Sequence, residues 1–539
     1  MKKEFWAEFD LYGKVAPYGT QISKLLWEER KKRRIKEMRE QLQATVQESI
    51  RSFLLQGKLD SIIIPDDASR QMLLSQLLPA DVICEGRSTQ CKDYVKGKNG
   101  LQQWYYGGDI QNPKGNFQEF LSRRMRWMAS ILNFDVGENV VHPSLPDLSI
   151  FPSGSWAIQI NFTLRKPYIS RDDTDFYIID NPVKKEWVFK VPYVAPSQWK
   201  GALRAAMVRE LVMRLLERKI DEEKFFEERI RLYRLFGNEK DGTAEFLNQA
   251  LARFRVETLS RDAEDEPKKQ WEQRVKQEIR KVAEQFESKL REKGYRVGDI
   301  EGFQGYLHFY PTFFDKIGLE VINTHDRETG ASVKGPIYFE CVPAGTKGTF
   351  TLLYVPMKEI DEDSSKKDME EVAKGLKAML SEYGFGAKTS SGYGVADDKV
   401  DGRLIARFSN VSTTAVQPPA VDIIPIVEPK KDFLKYMNDA GEVKPEFQGS
   451  GGGGLMSNSE YKKHGKESGG SLSEFKKFRS WYLKYGKTWR ESRHSQVTDQ
   501  SENLNIFHRK LGSLTELIEL ANLIQSKEPD LNDGEGKNG

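Results

Sequence analysis

Three features of the sequence predict an α+β fold, a ferredoxin-like (RRM-like) βαββαβ core. Residues 158–164 alternate apolar and polar side chains, the period of a strand. Two later stretches, beginning at Ser197 and Ser364, carry apolar residues at helical spacing. Strand-like runs at 305–309, 337–342, 349–355 and 403–408 complete the order strand, helix, strands, helix, strand.

In the first strand Ile158, Ile160, Phe162 and Leu164 alternate with Gln159, Asn161 and Thr163, so one face is expected in the core and one in water. The first helix places Ala202, Leu203, Ala206, Met207, Leu211 and Leu215 on one face, with Ser197 as its N-cap. A helical insertion at about 239–302 follows. Its part from 262 to 293 is almost entirely Lys, Arg, Glu, Asp and Gln, and is expected to be a charged helix outside any core. The turn Pro343-Ala344-Gly345-Thr346 separates the strands at 337–342 and 349–355. The second helix, 364–383, turns Met369, Val372, Leu376, Met379 and Tyr383 inward, and 403–408 closes the unit.

This core occupies 151–415. Before it lies a partly helical N-terminal elaboration, 1–150. After it come a Pro-rich connector and Gly/Ser linker, 416–454, in which Gln448-Gly449-Ser450-Gly451-Gly452-Gly453-Gly454 is a flexible tether. A basic, partly helical tail, 455–539, ends the chain.

The 539 residues suggest three or four units. With 38% hydrophobic, 11% aromatic and 30% charged residues, the chain can bury a core, which excludes wholesale disorder. No run approaches the roughly 18 apolar residues of a membrane helix, so no membrane partner is expected. The N-terminus lacks a secretory apolar segment, and the three cysteines, Cys84, Cys91 and Cys341, are widely spaced. Reduced thiols in a cytoplasm are therefore expected, with no structural zinc. The six histidines show no pair at ligand spacing, and His308, inside a strand, reads as packed.

Lys and Arg total 83 against 80 Asp and Glu, a net charge of +3. A sum so close to zero describes no basic coat, but it hides local fields. Six of the seven residues at 30–36 are basic, flanked by Glu28, Glu29, Glu37 and Glu40, the pattern of a solvated helix. From 461 to 493 ten cations face only Glu467, Glu474 and Glu491, interleaved with Phe475, Phe478, Trp481, Tyr482, Tyr485 and Trp489. That stretch fits a nucleic-acid surface and fits a packed amphipathic helix equally well.

Two segments offer a phosphate site. In 384–394, Gly384, Gly386, Gly392 and Gly394 expose backbone, Lys388 supplies a cation, and Ser390 and Tyr393 supply hydroxyls. Ala387 precedes Lys388-Thr389, so this is no Walker loop, and a helix precedes it where a dinucleotide fingerprint needs a strand. The first helix opens with Lys200, Gly201 and Arg204, two cations one turn apart at a positive helix end. In a βαββαβ unit these segments can be neighbours and frame a sequence-blind cradle for a phosphate backbone.

Tyr193-Val194-Ala195-Pro196-Ser197-Gln198-Trp199-Lys200-Gly201-Ala202-Leu203-Arg204 resembles a signature of the RAMP superfamily, backbone subunits of type III CRISPR effector complexes. Residues 384–394 resemble that family's C-terminal glycine-rich loop. Leu235-Phe236-Gly237, Gly305-Tyr306-Leu307-His308-Phe309 and Pro336-Ile337-Tyr338-Phe339-Glu340 fall in the family's order. The resemblance spans about 155–408, and the single core with added parts is most similar to type III-D subunits. It implies binding of a crRNA guide and a target RNA, other effector subunits as partners, and target cleavage assisted by a divalent metal, Mg. Ile179-Asp180-Asn181-Pro182-Val183 resembles the segment whose aspartate is needed for that cut, which makes Asp180 the implied catalytic residue and a candidate metal ligand. Read without the family, Asp180-Asn181-Pro182 opens a turn, and Asp172, Asp173 and Asp175 lie close by.

The chain departs from the family at Ala195-Pro196, at Gln198 and Trp199, and at Lys166–Ser170, which replaces a glycine-rich turn. Two other functions stay open: a non-cleaving capping or scaffold subunit of the same complex, and a guide-processing endoribonuclease.

Overall fold

In chain order the core elements are β1 (Trp156–Thr163), β2 (Tyr193–Val194), α1 (Pro196–Leu216), α2 (Glu222–Phe236), α3 (Asp241–Leu259), α4 (Lys268–Glu292), β3 (Leu307–Phe309), β4 (Thr312–Phe313), β5 (Gly318–Ile322), β6 (Ile337–Cys341), β7 (Lys347–Tyr354), α5 (Glu362–Lys377) and β8 (Lys399–Arg407). Further on lie α6 (Leu472–Ser495), β9 (Ile506–Ser513) and α7 (Leu514–Ser526). The computed structural model describes residues 104–106, 115–137, 140–171, 179–239, 241–259, 268–295, 302–323, 336–357, 361–409, 428–438, 441, 443–447, 455–456, 458, 461–462, 470–495 and 506–526, with four short strands between 58 and 90. The basic run at 30–36, the Gly/Ser tether and Asp172, Asp173 and Asp175 lie outside these residues.

Five strands form one sheet in the order β9-β8-β1-β7-β3. Within it β1 pairs antiparallel with β7 and β8, and β7 pairs antiparallel with β3. Numbered as the four core strands, this is 4-1-3-2, the arrangement of the ferredoxin-like unit. The polar alternation of β1 does not make a wet face. Gln159 is buried and donates to the Thr351 hydroxyl (3.0 Å) and the Pro143 carbonyl (3.1 Å), because the chain at 140–143 covers that side.

α1 buries Trp199, Leu203, Ala206, Met207, Leu211 and Leu215. Its cap is Ala195, extended, with Pro196 in the first turn, and Ser197 is not the N-cap. A proline ring presets the helical φ, which outweighs a serine one position later. Asp361 caps α5 by accepting from the Ser364 backbone N–H (2.6 Å), and the last turn, Ala378–Tyr383, widens to a π-turn. α1 and α5 approach closely at Gly375, where a Cβ would collide with Met207. Asp368, fully buried on α5, pairs with Arg234 of α2 and accepts from Tyr354. Burial pushes its carboxyl up, against the pull of Arg234.

The insertion is not outside a core. α4 packs on α3 and buries Val275, Val282, Phe286 and Leu290, one apolar stripe at helical spacing. Burying such side chains contributes roughly 1.5–3 kcal/mol each, which holds a helix whose other faces are charged. The 337–342 segment is a strand, but it pairs with β5 as a separate ribbon rather than joining the sheet.

The chain divides into two compact units, 1–409 with 507–539, and 410–506. In the second, Phe433, Tyr436, Phe447, Tyr461, Phe475, Phe478, Trp481 and Trp489 form one buried cluster. Residues after it return to the first unit: β9 extends the sheet beside β8, and α7 packs on α5. Among the described residues no helix is long and apolar enough to cross a membrane.

Candidate nucleic-acid interface

α1 follows β2 directly, so its first turn stands beside the chain at 303–309 that leads into β3. Trp199 and Leu203 point inward, and Ser197, Lys200, Gly201, Arg204 and Arg209 line a groove of about 1080 Å³. That is at or above the top of the roughly 300–1,000 Å³ range of small-molecule pockets. The other walls come from the end of α2 (Phe236, Asn238), the start of α3 (Gly242, Thr243, Phe246) and 303–309. Its described lining residues include Lys200, Arg204 and Arg209 and no carboxylate. A nearly neutral chain therefore keeps one locally cationic concavity.

Two helical glycines lie in this lining. A glycine inside a helix costs roughly 0.5–1 kcal/mol relative to alanine. At Gly201 and Gly242 an added Cβ would meet nothing within 4 Å, so packing does not require either. Both leave backbone bare to the groove.

The two predicted cations of α1 differ. Arg204 donates to the Phe236 carbonyl (2.8 Å) at the end of α2, and its guanidinium lies 5.3 Å from the Phe236 ring centroid. Burial lowers its pKa. It braces the groove as well as charging it. Lys200 faces His308, whose pKa is lowered by burial first and by the Lys200 charge second. Half-buried and held neutral, His308 lines the groove rather than serving only as packing.

The glycine-rich loop stands apart from that lining. Phe385 inserts its ring 4.4 Å from Trp199, which ties the loop to the buried side of α1. Gly384 and Gly386 have φ of +74° and +94°, and a Cβ there would come 2.6 Å from the Tyr393 carbonyl and 2.5 Å from the Ile169 carbonyl. Gly394 is equally pressed against Phe385. These three glycines serve close packing. Only the apex, with Lys388, Ser390 and Gly392, is open to solvent. Lys388 has φ +59°, and its ammonium sits 5.0 Å from the Phe339 ring centroid. Tyr393 donates to Glu320 (3.0 Å), and burial with that bond pushes its pKa up to about 12.

Asp180 is exposed and is not among the groove-lining residues. Its segment is fixed to β6. The Asn181 amide donates to the Tyr338 carbonyl (3.1 Å), and the Glu340 N–H donates to the Asn181 carbonyl (2.9 Å). The buried Glu340 carboxylate then accepts from the Val183 N–H (3.1 Å), from Lys185 (2.5 Å) and from Tyr105 (2.5 Å). The β5–β6 ribbon thus carries both the Asp180 segment and, through Phe339 and Glu320, the apex side of the glycine-rich loop. Among the described residues no group of three or more His, Cys, Asp or Glu is placed to hold a metal ion.

Asn238, Thr243, Phe246, Phe303 and Arg209 line the groove without a signal in the motifs. Phe246 and Thr243 sit in the insertion, and only the fold brings them to α1.

Residues 175–397 match the family model of the RAMP superfamily. No curated protein matches the chain. Among solved structures, a chain of "Cryo-EM structure of the Type III-B Cmr-beta bound to cognate target RNA" is similar at 12% identity and a TM-score of 0.26, over 71% of this chain and 98% of that one. A chain of "CRISPR RNA-guided surveillance complex, pre-nicking" is similar at 12% identity and a TM-score of 0.24, over 48% and 80%.

Proposed function

The segment 175–397 belongs to the RAMP superfamily, and on that premise we propose that this chain is a guide-RNA-binding backbone subunit of a type III CRISPR effector complex, of III-D-like organisation, that cuts complementary target RNA at Asp180. The observation that carries guide binding is the groove: three cations, no carboxylate among the described lining residues, and α1 backbone left bare at Gly201. A surface of that kind recognises a phosphate backbone without reading its sequence. The apex of the glycine-rich loop, with Lys388, Ser390 and Gly392, is the second guide contact.

Cleavage is assigned to Asp180 because it lies in the segment that resembles the family's cleavage segment, on an exposed position whose following residues are anchored at Asn181, Val183 and Lys185. The carboxylate accepts the proton of a target 2′-hydroxyl. The freed oxygen attacks the adjacent phosphorus in line, and the 5′-oxygen of the next nucleotide leaves. The expected divalent cation remains part of this proposal, held by Asp180 only together with oxygens of the RNA itself.

The test is the assembled complex carrying Asp180→Ala, with cuts mapped on a bound complementary RNA. Loss of one cut with guide retention unchanged is expected, as is loss of that cut on chelation and its return with Mg²⁺. An unchanged ladder overturns the cleavage assignment and would favour the second reading, a non-cleaving capping subunit.

A further inference from the structure

We infer that the groove over α1 holds an unpaired stretch of RNA and that the insertion supplies its base-stacking wall through Phe246. This rests on the reading of the groove as an RNA site and adds which form of RNA it takes.

Phe246 lies one turn into α3, where Leu247 and Leu251 are buried and Phe246 is 46% exposed. A phenylalanine left in water on a helix that has an apolar face available is unused by the core. Phe246 is among the residues that line the groove. On the floor, Phe236 and Phe309 stack with centroids 6.3 Å apart and planes at 17°. Beside them Gly201 and Gly242 leave backbone bare, and Lys200 and Arg209 add charge.

Cations and rings gathered in one concavity match a nucleotide strand, whose phosphates need charge and whose bases need a flat partner. In a duplex the base faces are covered by neighbouring bases, so only an unpaired base can present its face to Phe246. An acidic peptide would satisfy the cations but would leave the rings without a flat partner.

The experiment compares binding of one fluorescent RNA, single-stranded and as a duplex with its complement, to the full chain. Phe246→Ala is expected to weaken single-strand binding about tenfold and to leave duplex binding unchanged, while Phe246→Trp retains it. Lys200→Ala weakens both forms. If Lys200→Ala weakens binding and Phe246→Ala does not, the stacking wall is overturned and the RNA site stands. If neither variant matters, both readings fall. An acidic peptide that displaces the RNA from wild type and from Phe246→Ala equally well also overturns the inference. Because Phe246 is half exposed, an unchanged thermal transition in Phe246→Ala is expected to exclude loss of the fold.

Discussion

The groove over α1 and the 410–506 unit both combine aromatic rings with cations, yet the groove leaves Phe246 46% exposed while the other unit buries Phe475 and Phe478 completely. In the sequence the second region has the more obvious composition, ten cations and seven Phe, Tyr and Trp rings within 33 residues. Its rings fall at 475, 478, 482, 485 and 489, steps of three and four along one helix. They share a face, and a shared face finds a core: Tyr461 stacks on Phe475 at 3.8 Å and Tyr436 on Phe478 at 4.6 Å. The groove's rings come from α2, α3 and the chain around β3, with no common period. Rings in register along one element are packing. Rings brought together by the fold and left in water are the better pointer to a ligand.

The largest test of that contrast is Phe478→Ala. Truncating a buried phenylalanine costs about 3–5 kcal/mol, so the 410–506 unit is expected to lose its thermal transition while RNA affinity at the groove stays the same. A parallel fall in affinity would erase the distinction. Next, Lys200→Ala with Arg209→Ala should reduce single-strand affinity about tenfold and lower the slope of log affinity against log salt by about 1.4, or about 0.7 per lost contact. Titration of affinity against salt checks it.

A smaller effect is expected from pH. Burial and Lys200 hold the free His308 below its ordinary pKa, and RNA phosphates in the groove would raise it again. Binding then takes up a proton, so affinity rises as pH falls between the bound and free values, by at most about tenfold per pH unit. His308→Gln should flatten the profile. Smallest of all, Lys476→Ala with Lys477→Ala, both exposed on α6, should change affinity by less than about twofold, because charges outside the contact act through a screened field.

The sheet was legible because strand and helix periods are local. Ile158, Ile160 and Phe162 announce β1, and Met369, Val372, Leu376 and Met379 announce α5. Two parts were not. β5 reads as a strand only through its partner β6, fifteen or more residues away, and β9 joins β8 across about 100 residues that carry no hint of the pairing. In the site, Lys200 and Gly201 could be found from motif and helix position. Phe246 could not, since its exposure depends on how α3 packs. The glycines at 384, 386 and 394 were visible, but their reason was the close approach of Ile169, Tyr393 and Phe385 rather than a ligand.

β9 changes what a shortened chain would be. Leu511 fits against Gly402 of β8, where a Cβ would come 2.7 Å from its side chain, so the last core strand is shaped to receive it. Cutting the chain at the glycine tether would therefore strip a strand and α7 from the core as well as splitting the 410–506 unit. The uncovered rim of β8 would present unpaired N–H and C=O groups to other copies, a template for edge-to-edge association. A truncation that precipitates would then report a missing border of the sheet rather than a missing partner. The informative deletion removes 410–505 and rejoins β8 to β9.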